Sequence, residues 1–211
     1  MTTKWNLRIG SLYLIILCSL LLCSCGNKPR KYIIGVSQCS MDAWREKLNS
    51  ELKTAEYLND SVEVRLASAD DDNASQLSQI NYFIDQGVSL LIVSPNEVNA
   101  ISPALERAQQ KGIPVVLVDR KTQSKKYTAF IGCDNYLLGK LAGDYIAQRL
   151  NGKGRIVEIR GLDASSPAID RHRGFVDAVN AYPAMQIVAS ESGDWKEQSG
   201  SEVMKRVLSK T

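Results

Sequence analysis

From Lys31 onward, short apolar runs alternate with amphipathic stretches at a spacing of about 30 residues. This spacing is typical of βαβ units and predicts an α/β fold with parallel, doubly wound sheets. Strands are predicted at residues 32–36, 62–67, 90–93, 115–118, 127–132, 155–159 and 186–190. The first helix, from about Met41 to Leu58, carries an apolar stripe that includes Trp44 and Leu58.

Residues 111–120 read Lys-Gly-Ile-Pro-Val-Val-Leu-Val-Asp-Arg and combine a helix stop with a buried strand. The strand ends at Asp119 and Arg120. In open parallel sheets ligands bind at the carboxyl ends of the strands, so this pair is a candidate polar binding site. A carboxylate beside a guanidinium suits a ligand with many hydroxyl groups.

No helix is predicted between the fourth and fifth strands, which marks a change of topology. We therefore predict two α/β lobes, at residues 31–132 and 133–211. The helix that opens the second lobe contains Gly139 and Gly143, and this spacing predicts a close approach to the sheet. Because only two strands follow residue 133, the second lobe is predicted to be incomplete.

Residues 1–25 have the pattern of a lipoprotein signal peptide. Lys4 and Arg8 precede an apolar run that is too short to span a bilayer comfortably, and Leu-Cys-Ser-Cys follows at residues 22–25. Cys25 is predicted to become the lipidated N-terminus, anchoring the protein to the membrane on the periplasmic side. The alternatives are a plain signal peptide or an uncleaved anchor, and each also predicts a location outside the cytoplasm.

Composition excludes several classes of function. The formal charge is +3 with Lys and Arg scattered along the chain, so nucleic acid is a poor candidate partner. The single His172 and the cysteine spacing predict no metal site, and we expect no cofactor. The acidic run at residues 70–72 is interpreted as helix capping rather than calcium binding. Whether Cys39 and Cys133 form a disulfide stays open.

Several short motifs carry a resemblance to a known family. They are residues 35–37, 91–95, 112–120, 131–135 and 161–162, followed by Arg171 to Phe175. Together they resemble the sugar-binding periplasmic proteins of the ribose-binding type, which are related to the ligand domains of lac-repressor-like regulators. The amino-acid sequence at residues 35–40 and 119–132 is most similar to the extracellular sensor domains of hybrid two-component systems. The resemblance implies a two-lobed periplasmic-binding-protein fold of type I.

The resemblance also implies the binding residues, which would hold a small sugar between the lobes. Carried over position by position, they are Ser37, Trp44, Ser94, Asp119, Arg120, Arg171 and Trp195. Alternatives remain for four of them. Asp119 is also suited to capping a neighbouring helix, Arg171 to a surface ion pair, and Trp44 to the hydrophobic core, while the ring of Trp195 need not face the cleft.

We therefore expect a carbohydrate-binding domain, as the sensor part of a protein that signals through a histidine kinase. The alternative is a lipoprotein receptor that delivers sugar to an ABC permease. A periplasmic enzyme is the weakest hypothesis, because the sequence contains no recognisable set of catalytic acid, base, nucleophile or metal ligands.

Overall fold

The computed structural model describes residues 31–210. The predicted signal peptide, residues 1–25, and the predicted lipidation site, Cys25, lie outside these residues. Within residues 31–210, no helix is both long enough and apolar enough to cross a membrane.

Strands and helices alternate along the described chain, as the hydrophobic spacing predicts. The strands are β1 (Tyr32–Gln38), β2 (Val62–Ser68), β3 (Leu90–Ser94), β4 (Val115–Val118), β5 (Ala129–Ile131), β6 (Lys153–Arg160) and β7 (Ala184–Ser192). The helices are α1 (Ala43–Tyr57), α2 (Asn73–Asp85), α3 (Ser102–Gln110), α4 (Asn135–Arg149), α5 (Ser166–Asn180) and α6 (Glu197–Leu208). β4 is followed by β5 without an intervening helix, as predicted.

The first sheet contains five parallel strands in the order β2-β1-β3-β4-β5. The order changes direction at β1, so the gap between β1 and β3 is a topological switch point. The core of this part lies between the sheet and helices α2 and α3, and its fully buried members are Ile80, Leu91, Val93, Ile101, Leu105, Ala108, Val115 and Leu117. Asp72 caps the N-terminus of α2 by accepting a hydrogen bond from the backbone N–H of Ser75 at 2.7 Å, which confirms the capping role of the acidic run.

The second sheet contains the two predicted strands β6 and β7, which pair in parallel. Its core is smaller and consists of Ala147, Ile156, Phe175, Val179 and Met185. The described residues from Tyr32 onward form one compact unit by their contacts. The division into lobes at residues 132 and 133 stays a prediction.

The two glycines of α4 pack against a helix, and the predicted approach to the sheet was wrong. A Cβ at Gly139 would lie 2.0 Å from the carbonyl oxygen of Arg171 on α5. A Cβ at Gly143 would lie 2.6 Å from the Cβ of Ala178, also on α5. The spacing correctly signalled a close contact, but only the tertiary arrangement shows that α5 provides the other surface.

The predicted apolar stripe of α1 is also wrong at its two ends. Trp44 is half exposed and Leu58 is largely exposed, whereas Arg45 is the buried residue of this helix. A charged side chain thus takes the inward position, because it reaches carboxylate partners at the end of the first sheet. The core-packing alternative for Trp44 is therefore not supported.

Candidate functional site

A cleft of about 730 Å³ lies at the carboxyl ends of the strands of both sheets. The first part contributes residues that follow β1, β2, β4 and β5, and the second part contributes residues from α5 and from the loop after β7. Of the seven predicted site residues, five line the cleft: Trp44, Asp119, Arg120, Arg171 and Trp195.

A tight turn at the end of β4 presents Asp119 to the cleft. Asp119 has a positive φ of 65°, and its N–H donates to the carbonyl of Ile131 at 2.9 Å. The N–H of Arg120 then donates to the carbonyl of Val118 at 2.7 Å, which reverses the chain within three residues. Left-handed backbone is uncommon for residues other than glycine and is tolerated best by Asp and Asn. The turn directs Asp119 outward and Arg120 inward, and no helix begins here for Asp119 to cap.

Arg45 occupies the centre of the polar side of the cleft, although no sequence motif points to it. Its side chain is paired with Asp42, one turn earlier, and its Nη2 donates to Oδ2 of Asp119 at 3.1 Å. The same nitrogen lies 3.3 Å from Oγ of Ser94. Oδ1 of Asp119 accepts no hydrogen bond from residues 31–210, so this oxygen is available to a ligand.

Charge pairing shapes the ionisation of this cluster. Partial burial raises the pKa of Asp42, but the backbone N–H and the positive charge of Arg45 outweigh that effect and lower the pKa below its ordinary value of 3.8. Burial lowers the pKa of Arg120, although Asp119 favours its charged form. Because a guanidinium stays protonated at neutral pH, Asp42, Arg45, Asp119 and Arg120 form two positive and two negative charges.

Arg120 is held by the loop that follows β3. Its Nη1 donates to the backbone carbonyl of Asn96 at 3.0 Å, and its Nε lies 3.8 Å from Oδ2 of Asp119. Asn96 is itself buried, and its side-chain amide donates to the carbonyl of Asp71 and to Oδ1 of Asn73, each at 2.9 Å. These bonds fix the guanidinium at the base of the cleft.

Two tryptophans line the cleft, one from α1 and one from the loop after β7, and each lies beside an arginine. The guanidinium carbon of Arg45 lies 5.5 Å from the ring centroid of Trp44, and that of Arg171 lies 5.5 Å from the ring centroid of Trp195. Nε of Arg171 donates to Oδ1 of the buried Asn135 at 2.8 Å, so its partner is an amide rather than an acidic surface residue. About half of each tryptophan residue is exposed, at 51% for Trp44 and 46% for Trp195.

The structure does not bring Ser37 or Ser94 to the cleft surface. Ser37 is still inside β1, where side chains alternate between the two faces of the sheet, and its Oγ donates to Gln79 of α2 at 3.1 Å. Ser94 is 2% exposed and lies beneath Arg45. We therefore assign Ser94 to support of Arg45, whereas Ser37 contacts α2. Their predicted direct contact with the ligand is not supported by this geometry.

The two cysteines of the described chain are free thiols. Cys39 is buried beside Ser94, and Cys133 is exposed at the rim of the cleft. Residues 31–210 contain no cluster of three or more His, Cys, Asp or Glu side chains suited to a metal ion.

Sequence reasoning missed Arg45, Asp42, Asp71, Asp194 and Lys196, all of which line the cleft. One signal was present for Arg45. It lies in the first turn of α1, the helix that follows β1, at the same carboxyl edge of the sheet as Asp119. A charged residue on a helix is usually solvent-exposed, and that expectation hid its role.

Comparison with known proteins supports a binding protein. Residues 34–211 match the family model described as periplasmic binding protein domain. The galactofuranose-binding protein YtfQ of Escherichia coli K12 is 31% identical over 83% of this chain and 56% of its own length. The ribose import binding protein RbsB of Bacillus subtilis is 28% identical over 94% of this chain and 66% of its own length.

A solved structure gives a similar result. The fructose-binding periplasmic domain of the hybrid two-component system BT1754 is 45% identical, with a TM-score of 0.83, over 85% of this chain and 60% of that domain. The chain therefore spans about three fifths of the proteins it matches. The names of these relatives describe sugar-binding proteins and no enzyme, in agreement with the expected binding domain.

Proposed function

Because the chain belongs to the periplasmic binding protein family, we propose that its cleft binds a small neutral sugar. One observation carries this proposal: the Asp119 carboxylate, held by Arg45, faces a cleft flanked by the rings of Trp44 and Trp195. Sugar rings have apolar faces that stack on aromatic side chains, and their hydroxyl groups bond well to carboxylates and guanidinium groups.

The charge balance of the cleft favours a ligand without net charge. Its lining contains four acidic side chains, Asp42, Asp71, Asp119 and Asp194, and four basic ones, Arg45, Arg120, Arg171 and Lys196. A phosphorylated sugar would require an excess of positive charge, since each phosphate must be matched by a cation or by aligned N–H groups. Free sugars such as fructose, ribose and galactofuranose, which the relatives are named for, fit this balance.

Thermal unfolding of the whole protein with a panel of free sugars tests the proposal. A bound sugar at about 100 times its dissociation constant adds about 2.7 kcal/mol to the free energy of unfolding and raises the melting temperature. Asp119→Ala removes a charged acceptor, and we expect it to weaken binding roughly 10- to 100-fold.

Asp60→Ala is the matched control, because Asp60 is exposed in the turn between α1 and β2, away from the cleft. It should leave the sugar response unchanged. The proposal is wrong if no sugar of the panel shifts the melting temperature, or if both aspartate variants respond like the unmodified protein.

We further propose that this domain senses the sugar for a histidine kinase. Identity to the hybrid two-component domain is 45%, against 31% and 28% for the galactofuranose and ribose proteins. The alternative, delivery to an ABC permease, is supported by the import role in the name of the ribose protein. Deletion of the gene separates them. Loss of sugar-induced transcription with intact uptake of labelled sugar favours sensing, and the reverse favours transport.

We propose an anchor at Cys25 on the periplasmic side of the membrane, from the Leu-Cys-Ser-Cys pattern at residues 22–25. The periplasmic family supports an extracytoplasmic location. Cys25→Ser should abolish incorporation of labelled palmitate, whereas Cys18→Ser should retain it. Equal labelling of the two variants would contradict the anchor.

A further inference from the structure

We propose that Gly161 is the packing surface for the Trp195 ring and thereby determines the width of the cleft. Gly161 is buried directly after β6, opposite the indole of Trp195. A Cβ at position 161 would lie 2.1 Å from Cε2 and Cζ2 of the ring and 2.4 Å from Cδ2. Atoms cannot approach so closely, and a side chain at residue 161 is therefore incompatible with the present position of the ring.

Gly161 is needed for space rather than for backbone conformation. The glycines with positive φ in the described chain are Gly87, Gly112 and Gly152, so the backbone of Gly161 is open to any residue. An alanine at position 161 would keep its backbone geometry and act through its single methyl group. This makes the substitution a direct probe of the ring.

The other contacts of Trp195 limit the directions in which the ring would move. The guanidinium of Arg171 lies 5.5 Å from the ring centroid, and Nε1 of the indole lies 3.4 Å from Oγ of the buried Ser165. Gly161 contacts the ring as well. Trp195 is 46% exposed and lines both the cleft and a smaller cavity of about 260 Å³ beside Gly161. A methyl group at residue 161 displaces the indole away from that residue, and on this proposal the displaced ring narrows the cleft.

The backbone beneath the ring is already constrained. Asp194 and Trp195 both have positive φ, at 51° and 61°, which is unusual for two consecutive residues other than glycine. The turn is held by the N–H of Gly193, which donates to the carbonyl of Arg160 at 2.7 Å, and by Oγ of Ser192, which donates to Oδ1 of Asp194 at 2.6 Å. A left-handed tryptophan is maintained only where surrounding contacts determine it. The loop therefore has little freedom to absorb a displaced ring.

The effect on ligands rests on the proposed sugar-binding function. With glycine at residue 161, the cleft has room for a ligand ring beside Trp195. With alanine at residue 161, the space beside Trp195 becomes narrower. We expect Gly161→Ala to weaken sugar binding about 10-fold or more, and to discriminate more strongly against larger sugars than against smaller ones.

The experiment is a double-mutant cycle on the whole protein, with Gly161→Ala, Trp195→Ala and the double variant. Denaturant unfolding and acrylamide quenching of tryptophan fluorescence need no ligand, and titration with free sugars is added as the third measurement. Gly161→Ala should increase the quenching of Trp195, identified by its absence in Trp195→Ala. In the Trp195→Ala background, Gly161→Ala should no longer lower stability or weaken binding, because the ring is gone.

Gly200→Ala is the matched control, because a Cβ there would meet only Cγ2 of Ile159, at 3.9 Å. It should leave quenching and binding unchanged. The proposal is overturned if Gly161→Ala leaves quenching unaltered. It is also overturned if Gly161→Ala changes stability and affinity equally with and without Trp195. If quenching and stability change as expected but no sugar binds, the packing of Trp195 on Gly161 is supported and the proposed sugar-binding function is wrong.

Discussion

Arg45 is the residue on which the polar side of the cleft depends. It is 4% exposed, and it bonds to Asp42, Asp119 and Ser94 from three different elements. A buried charge is tolerated when it is paired, and removing one partner leaves the others uncompensated. The orientation of Asp119 toward a ligand therefore follows from a side chain on α1.

At this scale we predict that Arg45→Met lowers the free energy of unfolding by about 1–3 kcal/mol at pH 7. Asp42 then loses its cation, and Asp119 keeps only Arg120, whose Nε lies 3.8 Å away. Arg65→Met is the matched control. Arg65 also pairs with a carboxylate, Glu63 at 2.7 Å, but at a partly exposed position where ion pairs contribute about 0–1 kcal/mol. Equal losses in urea unfolding would contradict the role of Arg45.

The ion pair between Arg45 and Asp42 also predicts that stability depends on pH. The pKa of Asp42 is lower in the folded protein than its ordinary value of 3.8, so its stabilising contribution is present above that value. It is lost as the pH falls through the lower folded-state pKa. The stability difference between the unmodified protein and Arg45→Met should therefore be largest at neutral pH and decrease below about pH 4.

At the scale of elements, the packing of α4 on α5 positions the second side of the cleft. Gly139 on α4 lies against the backbone of Arg171, and Gly174 on α5 lies against the carbonyl oxygen of Tyr136. Because glycine has no side chain beyond hydrogen, the backbones of α4 and α5 approach closely at these two positions. Asn135, at the start of α4, is thereby brought to Nε of Arg171.

Gly139→Ala is predicted to lower the free energy of unfolding by about 1–3 kcal/mol, because the new methyl group forces the two helices apart. Glycine to alanine within a helix normally stabilises by about 0.5–1 kcal/mol. Gly200→Ala in α6, which has open space, should show that ordinary gain. Opposite signs in denaturant unfolding confirm the close packing, and a gain in both variants contradicts it.

At the scale of the whole molecule, few polar contacts join the part built on the first sheet to the part built on the second. The N–H of Val98 donates to the carbonyl of Ala164 at 3.0 Å, and the N–H of Lys121 donates to Oγ of Ser166 at 2.7 Å. Nζ of Lys196 pairs with Asp71 across the cleft at 3.2 Å. Because this ion pair is largely exposed, it is open to screening by salt.

We predict that Lys196→Gln and Asp71→Asn each weaken sugar binding by less than about fivefold at low salt, since exposed pairs contribute about 0–1 kcal/mol. The double variant should be no weaker than either single one, and the effect should vanish near 1 M salt, where the Debye length is about 3 Å. Lys153→Gln, at an exposed position on β6, is the control. Additive losses that persist in salt would instead mean that each residue contacts the ligand separately.

The alternation of apolar and polar residues by itself determined the order of strands and helices, because that pattern is local. Gly112 and Pro114 placed the end of α3 and the start of β4, and Asp119 and Arg120 followed as strand-end residues. The family resemblance added Trp44, Arg171 and Trp195, each of which the structure brings to one cleft.

The tertiary structure alone decided which side chains face that cleft and which lie behind it. Ser37 contacts α2 because its orientation depends on where β1 ends, and Arg45 was missed because its partners come from distant elements. The neighbour of Gly139 is α5, and that of Gly161 is Trp195, 34 residues later in the sequence. Such contacts join residues far apart along the chain, so no local pattern records them.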